Sequence, residues 1–409
     1  MKVAGIVAEY NPFHLGHDYH IRQTRQLTGA THVAVVMSGN FVQRAEPAIA
    51  EKNARAAIAV GCGADLVLEL PVAWACATAQ TFAFGAVSLL DGLGCVDTLS
   101  FGSECGDTAA LSRLAKGVSG EPFNAAVRAQ LKSGLPLAAI RERCAVSLFG
   151  RQTALPLTTP NDTLAVEYLS ALGKLGSCIE PFAVKRIGAG HDSERADGTY
   201  RSASQIRSMI RNGEAFSAFL PQASAEGLEE EIASGRAPAD YGKLETAVLY
   251  ALRRMPPEEF RALPDISEGI ENRIIKAAMQ TADLETLCLA AKTKRYSHAR
   301  IRRIVLSAFL GIRAADSDGA PLYARVLAAN EKGMEVLKAA AARGTVPAVV
   351  SASQIAKLGG RAAAADALES RTDAIFALCL PNPLSHRPQS GVKFAPVSNI
   401  QSTKRVTER

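Results

Sequence analysis

The first hundred residues alternate short runs of β-branched residues with segments whose apolar positions recur at helical spacing. We predict helices at 18–27, 51–60 and 77–90, and strands at 3–8, 32–37, 65–70 and 98–101. Strands and helices that alternate with short connections are typical of right-handed β-α-β units, which build parallel sheets. The pattern therefore predicts an α/β fold with a doubly wound parallel sheet.

The pattern changes after residue 105. Residues 107–175 are mostly helical and predict an insertion or flanking segment. A further strand at 179–187 and a helix at 204–212 then resume the alternation. We therefore predict a first domain, with its helical insertion, over residues 1–220.

The remainder of the chain predicts a second domain. Residues 221–241 are rich in Ala, Ser, Gly and Glu, which indicates a linker or a mobile, exposed helix pair. Residues 242–385 predict a helical domain with helices at 244–254, 269–282, 284–291, 297–310, 320–342 and 353–367. Residues 386–409 lose this periodicity and are predicted to form a disordered basic tail.

The composition predicts a cytoplasmic protein with no membrane partner. No run of about 18 apolar residues is available for a membrane span, and the first residues enter a strand rather than the core of a signal peptide. The cysteines form no Cys-x-x-Cys pair, which indicates free thiols, a reducing compartment and no zinc site. They are Cys62, Cys76, Cys95, Cys105, Cys144, Cys178, Cys288 and Cys379.

The net charge of +6 is modest, so its distribution is more informative than its total. Residues 292–303 contain no acid and six bases: Lys292, Lys294, Arg295, Arg300, Arg302 and Arg303. This run predicts contact with nucleic acid, with Tyr296 stacked on a base. An alternative stays open, because Ile301, Ile304 and Val305 recur at helical spacing: the run is an amphipathic core helix with its arginines partly outside.

The segment 5–20 contains the most informative chemistry. It follows the first predicted strand, at the edge of an open parallel sheet where ligands bind. Gly16 allows a close backbone approach, and a helix beginning near His17 offers free N–H groups to a phosphate. His14 and His17 can both donate to one triphosphate and stabilise the departing phosphates, so we predict both as catalytic residues. The alternative is a structural turn with packed histidines.

The motif Phe13-His14-Leu15-Gly16-His17 resembles the nucleotide-binding signature of HIGH-type nucleotidyltransferases, which have a Rossmann-like core. Further motifs resemble those of the tRNA(Met) cytidine acetate ligase family, in the same order along the chain. They lie at 5–20, 38–44, 64–71, 101–104, 160–161, 185–190, 202–207 and 293–301. Co-linear matches of this extent are more specific than any single motif.

The resemblance implies that acetate is joined to the α-phosphate of ATP, that pyrophosphate is released, and that the acetyl group passes to the N4 amine of the wobble cytidine in elongator tRNA(Met), forming N4-acetylcytidine. Mg²⁺ is expected with the triphosphate, without known ligands, and no protein partner is implied. The implied ATP-binding residues are Val7, Ala8, Glu9, Tyr10, Asn11, Pro12, Phe13, His14, Leu15, Gly16, His17, Asp18, Tyr19, His20, Gly102, Asn161, Arg186, Ile187, Ser202, Ser204 and Arg207. The predicted tRNA-binding residues are Lys292, Lys294, Arg295, Tyr296, Arg300 and Arg303.

Several of these positions also have a physical interpretation of their own. Gly102 ends a predicted strand, where a side chain could block the adenosine, and Arg186 precedes a Gly-Ala-Gly loop from which it could reach phosphates. Ser204 near a helix start and Arg207 one turn along can share an anion. The alternatives are a simple turn at Gly102, a surface arginine, and ordinary helix caps at Ser204 and Asn161.

Three positions depart from the family pattern. Ala45 stands where we expect Gly, Asp162 where we expect Asn, and His191 where we expect Tyr. Ala45 tests whether its loop requires a positive φ, because Gly adopts that conformation most readily.

Two other functions would explain part of the sequence. A small-metabolite adenylyl- or cytidylyltransferase would use the same phosphate site, but it leaves the helical domain and its basic run without a task. A non-catalytic RNA-binding protein with a nucleotide fold is disfavoured by intact His14, Gly16 and His17. Acetate-dependent release of pyrophosphate would separate the three functions.

Overall fold

The computed structural model describes residues 1–187, 200–267 and 269–386. Every strand predicted from the sequence is present, with ends that differ by at most two residues. The strands are β1 (Val3–Ala8), β2 (His32–Ser38), β3 (Phe41–Val42), β4 (Glu46–Pro47), β5 (Leu66–Leu70), β6 (Thr98–Ser103), β7 (Glu180–Lys185), β8 (Ala324–Ala329) and β9 (Ala348–Val349).

Seven of these strands form one sheet in the order β7-β6-β1-β2-β5-β8-β9. β1, β2, β5, β6 and β7 pair in parallel, whereas β8 is antiparallel to β5. The chain adds β2 and β5 on one side of β1 and then adds β6 and β7 on the other side. The point at which the strand order reverses, the topological switch point, therefore lies between β1 and β6. This architecture confirms the predicted α/β class, and it locates the ligand crevice outside the carboxyl ends of β1 and β6.

Helices cover both faces of the sheet and continue into the rest of the chain. They are α1 (Leu15–Thr28), α2 (Lys52–Gly61), α3 (Val72–Ala75), α4 (Ala79–Gly92), α5 (Thr108–Ser119), α6 (Glu121–Gln130), α7 (Leu137–Phe149), α8 (Arg151–Ala154), α9 (Pro160–Leu175), α10 (Ala203–Asn212), α11 (Gln222–Ala233), α12 (Glu245–Arg254), α13 (Pro257–Arg261), α14 (Ile270–Gln280), α15 (Leu284–Ala291), α16 (His298–Leu310), α17 (Glu331–Arg343), α18 (Ala352–Ala356) and α19 (Gly360–Ala377). In the described ranges, no helix combines the length and the apolar character that crossing a membrane requires.

One predicted helix is wrong in its first half. The sequence favours a helix over 320–342, because alanine is a strong helix former. In the structure Ala324–Ala329 is the strand β8, buried along its whole length against β5, and the helix α17 begins only at Glu331. Pairing with a buried strand outweighs the local helix preference. The domain division near residue 220 stays a prediction, and the sheet joins segments from both sides of it.

The segment predicted as a linker contains the packed helix α11. Its Ser224, Ala225 and Leu228 are buried. The helix lies so close to α2 that a Cβ atom on Gly227 would be 2.7 Å from a side-chain carbon of Ile58. This helix therefore belongs to the packed structure, beside α2.

A buried ionic cluster connects α2, β5 and α19. The Lys52 ammonium lies 2.5 Å from a carboxylate oxygen of Glu69 and 2.8 Å from one of Asp373. Burial opposes the charge on Lys52, but the carboxylates of Asp373 and Glu69 outweigh it and raise the pKa of Lys52. Arg325 also lies 3.4 Å from Glu69, so Lys52, which is 1% exposed, is the nearest but not the sole cation beside the two carboxylates.

We predict that Lys52→Met lowers the free energy of unfolding by about 3–5 kcal/mol, because it removes the cation nearest to the buried Asp373 and Glu69 and leaves Arg325, 3.4 Å from Glu69, to compensate them. Urea unfolding at pH 7 measures the change. The control is Lys338→Met on the exposed face of α17, for which we expect a change within about 0.5 kcal/mol. Equal effects of the two substitutions would contradict a stabilising role for the buried lysine.

Candidate active site

The turn between β1 and α1 forms the wall of the crevice at the switch point. The predicted segment 7–20 covers the end of β1, this turn and the first turns of α1. Tyr10 adopts a positive φ of 44°, and its ring centroid lies 4.7 Å from that of Phe13. Both rings are buried, which fixes the path of the chain as it leaves the sheet.

His14 and His17 cap the start of α1 with their imidazoles. Nδ1 of His14 accepts a hydrogen bond from Gly16 N at 3.0 Å, and Nδ1 of His17 accepts one from His14 N at 3.2 Å. This reciprocal arrangement is a capping box in which both acceptors are ring nitrogens. A neutral imidazole with an accepting Nδ1 has its proton on Nε2. Each histidine therefore has an Nε2–H donor beyond its cap.

The two rings are stacked, with centroids 3.8 Å apart and planes inclined by 22°. Tyr10 and Phe13 pack against the His17 ring at centroid distances of 4.9 and 5.5 Å. His20, one turn further along α1, lies 3.0 Å from the Ser100 hydroxyl on β6. Packing and hydrogen bonding thus hold three imidazoles at the edge between β1 and β6. We call His14, His17 and His20 with their turn the histidine corner.

The histidine corner is uncharged at neutral pH. Burial, and after it the positive charge of Arg186, lowers the pKa of His14 and of His20 to about 4. Burial, with His14 and Arg186, lowers the pKa of His17 well below its ordinary value. The imidazoles can therefore act as neutral hydrogen-bond donors, while the positive charge beside them belongs to Arg186.

Gly102 and Arg186 lie next to each other at the ends of β6 and β7. A Cβ atom on Gly102 would be 3.4 Å from Cγ of Arg186, so a side chain there would contact the arginine. Arg186 N donates to Ser103 O at 2.9 Å, which fixes its backbone, while its side chain is exposed. Ile187 is 47% exposed beside it. The structure thus brings Arg186 and Gly102 to the same crevice as the histidine corner.

The start of α9 is held by two carboxylates. Glu104 accepts from the side-chain amide of Asn161 at 2.5 Å and from Asp162 N at 2.8 Å. Asp162 in turn accepts from Glu104 N at 2.9 Å and from the Ser103 hydroxyl. A carboxylate at Asp162 serves as acceptor for three groups of this loop, Cys105 N included. The departure from Asn at this position therefore strengthens the loop after β6, and Asn161 is fixed beside the crevice.

Three carbonyl groups of the turn are each held by a side chain from a different helix. The acceptors are the oxygens of residues 9, 11 and 13, and the donors lie on α2, α10 and α11. The pairs are Arg55 to Glu9 at 2.5 Å, Arg207 to Asn11 at 2.9 Å, and Ser224 to Phe13 at 2.7 Å. The turn is consequently anchored from outside at every second residue.

The two ends of the 202–207 motif have different environments. Ser202 caps α10, and its exposed hydroxyl lies 3.0 Å from that of Ser204. Arg207 is 6% exposed and donates to Glu46 at 2.8 Å as well as to the turn. The guanidinium thus supports the turn from behind, and its predicted contact with ATP stays a prediction. The motif contributes both an exposed serine pair and a buried anchor.

Ala45 adopts a positive φ of 58° in the hairpin between β3 and β4. The loop therefore has the conformation that favours glycine, and alanine adopts it at an energetic cost. Gln43 N in the same hairpin donates to the Glu9 carboxylate at 3.1 Å. Burial raises the pKa of Glu9, although the Gln43 hydrogen bond opposes this shift. The hairpin thus closes over the start of the turn.

The predicted RNA-binding residues have unequal exposure. Lys292 and Lys294 are exposed in the loop before α16. Arg300 donates to Asp265 O at 2.6 Å, and Arg303 pairs with the Asp265 carboxylate at 2.7 Å. Tyr296 is 6% exposed, so its ring packs in the interior instead of presenting a face to a base. The core-helix interpretation thus applies to α16, while contact of the exposed loop with nucleic acid stays a prediction.

Arg295 donates to Leu131 O at 3.0 Å, which ties the basic loop to the end of α6. His191, the Gly-Ala-Gly loop at 188–190 and the tail beyond residue 386 lie outside the described residues. The sequence interpretation missed Arg55, Ser224 and Glu104 as supports of the site. Glu104 lay within a matched motif, but a single arginine in a helix and a serine in a predicted linker give no comparable signal.

The neutral corner predicts a pH dependence of stability. Unfolded histidine protonates near pH ~6.5, while folded His14 stays neutral down to a pKa of about 4. Between these values the unfolded state binds more protons, so the free energy of unfolding falls as the pH falls. His14→Asn retains a capping side chain and should make this fall shallower in urea unfolding between pH 7 and pH 4.

Lys338→Asn, which replaces an exposed residue of α17 far from the corner in sequence, serves as the control and should retain the full fall. A His14→Asn protein with the same pH dependence as this control would show that His14 is not held neutral by folding.

A model of the HIGH Nucleotidyl Transferase family matches residues 1–390 of this chain. The tRNA(Met) cytidine acetate ligase of Thermoanaerobacter sp. (strain X514) is 40% identical over 362 residues, which cover 87% of this chain and 90% of that protein. The tRNA(Met) cytidine acetate ligase of Acetivibrio thermocellus is 38% identical over 372 residues, which cover 87% and 90%. The resemblance found in the motifs is thereby confirmed.

The fold has a counterpart among solved structures. The crystal structure of Thermotoga maritima TmcAL bound with alpha-thio ATP superposes with a TM-score of 0.91 at 32% sequence identity, and covers 97% of this chain and 100% of that one. Its apo form superposes with the same TM-score at 31% identity. With a family model that spans nearly the whole chain and relatives of this similarity, the chain belongs to the tRNA(Met) cytidine acetate ligase family of HIGH nucleotidyltransferases.

Proposed function

We propose that this chain activates acetate with ATP and transfers the acetyl group to the N4 amine of the wobble cytidine in elongator tRNA(Met). The pair of neutral, stacked imidazoles beside Arg186 carries the proposal. Two Nε2–H donors after β1 and one guanidinium after β7 suit a nucleotide whose phosphates change charge during the reaction. The identities of the acid and of the RNA are taken from the names of the relatives.

The proposed reaction has two steps. A carboxylate oxygen of acetate attacks the α-phosphorus of ATP, the bond to the bridging oxygen breaks, and acetyl-adenylate and pyrophosphate form. The N4 amine of cytidine then attacks the acetyl carbonyl carbon, loses a proton, and AMP leaves with the former acetate oxygen. His14 and His17 donate to phosphate oxygens in the first step, where negative charge collects on the departing pyrophosphate.

The remaining predicted ATP contacts surround these donors. Arg186 neutralises the charge of the phosphates, and the positive end of the α1 dipole adds to this effect. Gly102 leaves space beside Arg186, and Asn161 contacts the nucleotide from the start of α9. Ser202 and Ser204 offer hydroxyls from α10, while Arg207 holds the turn in place through Asn11 O.

Mg²⁺ is proposed to enter with ATP. Among the described residues, no three His, Cys, Asp or Glu side chains converge on one point. Such a site fits a cation that is held mainly by triphosphate oxygens and water, as Mg²⁺ commonly is at nucleotide sites. The ion would offset phosphate charge that the neutral histidines leave uncompensated.

The cytoplasm is the proposed compartment. The tRNA substrate is found there, and all eight cysteines are free thiols in the structure. Free thiols persist where the surroundings are reducing. Of these, Cys105 and Cys178 are exposed and would be open to oxidation elsewhere.

The first test measures the reaction itself and the histidine corner. With ATP, labelled acetate and bulk tRNA, nucleoside analysis should yield labelled N4-acetylcytidine. In acetate-dependent exchange of pyrophosphate into ATP, His17→Asn should lower kcat by about 10²–10³-fold, because one charge-stabilising donor is lost. His298→Asn, which removes an imidazole on α16, should leave the exchange unchanged.

Pyrophosphate release without acetate would instead indicate an adenylyl- or cytidylyltransferase. Full exchange in His17→Asn would contradict the proposed role of the corner.

The second test concerns the exposed end of the basic run. Reversal of both charges in Lys292→Glu/Lys294→Glu should weaken tRNA binding and leave acetate-dependent exchange intact, because the loop contacts phosphates of the RNA and not the nucleotide. Filter binding at several salt concentrations measures the first property. Equal loss of both properties would argue against a separate RNA surface.

A further inference from the structure

A cleft of about 780 Å³ lies between α4, α5, α7 and α9, and no residue of the histidine corner lines it. Its size is within the range of small-ligand sites, which are about 300–1,000 Å³. The stripe that α9 contributes has helical spacing: Glu167, Ser170, Ala171 and Lys174. The cleft is thus built from α4 and from the helical insertion, for which the proposed reaction leaves no task.

The lining of the cleft has an excess of positive charge. Arg141 pairs with Glu167 at 2.6 Å, and this pair is neutral overall. Lys116 and Lys174 also line the cleft, are exposed, and have no carboxylate partner in the described part of the chain. Two uncompensated ammonium groups on facing helices are suited to a phosphate.

The cleft also offers an aromatic face and unused hydrogen-bonding capacity. Lys174 Nζ lies 4.3 Å from the ring centroid of half-buried Phe84, so cation and ring share one wall. The Ser170 hydroxyl is shielded from solvent and has no hydrogen-bond partner among the described residues. Buried polar groups of this kind are normally satisfied. The ring and the hydroxyl suit the base of one nucleotide, and the two cations suit its phosphate.

The cleft is connected to the proposed RNA surface through α6. Asn124, in the first half of α6, lines the cleft, and the helix ends at Gln130. The next residue, Leu131, accepts the hydrogen bond from Arg295 of the basic loop. From Asn124 to Leu131 is roughly 10 Å along a helix. A strand of RNA that meets the loop therefore has the cleft within reach of its backbone.

We propose that this cleft binds one unpaired nucleotide of the tRNA substrate, with its phosphate between Lys116 and Lys174 and its base against Phe84. The proposal rests on the proposed function, which makes tRNA the substrate. It assigns the helical insertion a role in holding the RNA, separate from activation of acetate.

The test compares two double variants of equal charge. Lys116→Ala/Lys174→Ala should weaken binding of an elongator tRNA(Met) transcript roughly tenfold and make the dependence of log Kd on log salt shallower by about 1–2. Lys338→Ala/Lys357→Ala removes two exposed lysines of α17 and the turn after α18 and should change neither. Acetate-dependent pyrophosphate exchange should be the same in all proteins, which also shows that they are folded.

Equal tRNA affinity in the two double variants overturns the proposal. A second arm titrates AMP in the absence of RNA: weaker AMP binding in Lys116→Ala/Lys174→Ala with unchanged tRNA binding would assign the cleft to a free nucleotide and also overturns it. If the proposed function is wrong, the unsubstituted protein will form no N4-acetylcytidine. This outcome differs from the one that overturns the proposed nucleotide site, which is seen in the lysine variants.

Discussion

The hydrogen bonds from two backbone N–H groups to the Nδ1 atoms of His14 and His17 are the constraint on which the site depends. A helix start normally satisfies its free N–H groups with a hydroxyl or a carboxylate. Here imidazoles do so, and each is thereby fixed in the tautomer whose proton is on Nε2. One contact thus begins the helix, orients the ring and selects the donor, while burial keeps the ring uncharged. A carboxylate cap would repel phosphates at the same place.

This arrangement needs a rigid turn, because a donor stabilises charge only if it does not have to reorganise. The rigidity comes from outside the turn, through hydrogen bonds to the oxygens of residues 9, 11 and 13. Their donors are far apart in sequence, on α2, α10 and α11. Helices from distant parts of the chain therefore have a common role. Together they fix the turn between β1 and α1, which its own residues could not hold alone.

The sequence was sufficient for most of the strands and helices, because these depend on local patterns, while the site itself stays a prediction. Alternating apolar runs determine β1, β2, β5 and β6, and the histidine motif follows β1 directly. It failed where a distant partner decides the outcome. Ala324–Ala329 is a strand because β5 is available to pair with it. Tyr296 has polar neighbours in the sequence, but its ring is buried because it packs into the hydrophobic core. Likewise, nothing local distinguishes Arg55, which anchors the turn, from an arginine on a solvated helix face.

Glu46 shows how the helical module and the turn are joined. Its carboxylate accepts from Arg207, the anchor of Asn11 O, at 2.8 Å, and lies 3.7 Å from Arg302 on α16. α16 begins directly after the loop that contains Lys292 and Lys294. Arg302 also reaches Ala45 O in the strained hairpin at 3.5 Å. Two arginines from different parts of the chain thus converge on one hairpin, which joins α16 to the anchor of the turn between β1 and α1. The hairpin is therefore the structural link between the surface proposed to meet RNA and the corner proposed to activate acetate.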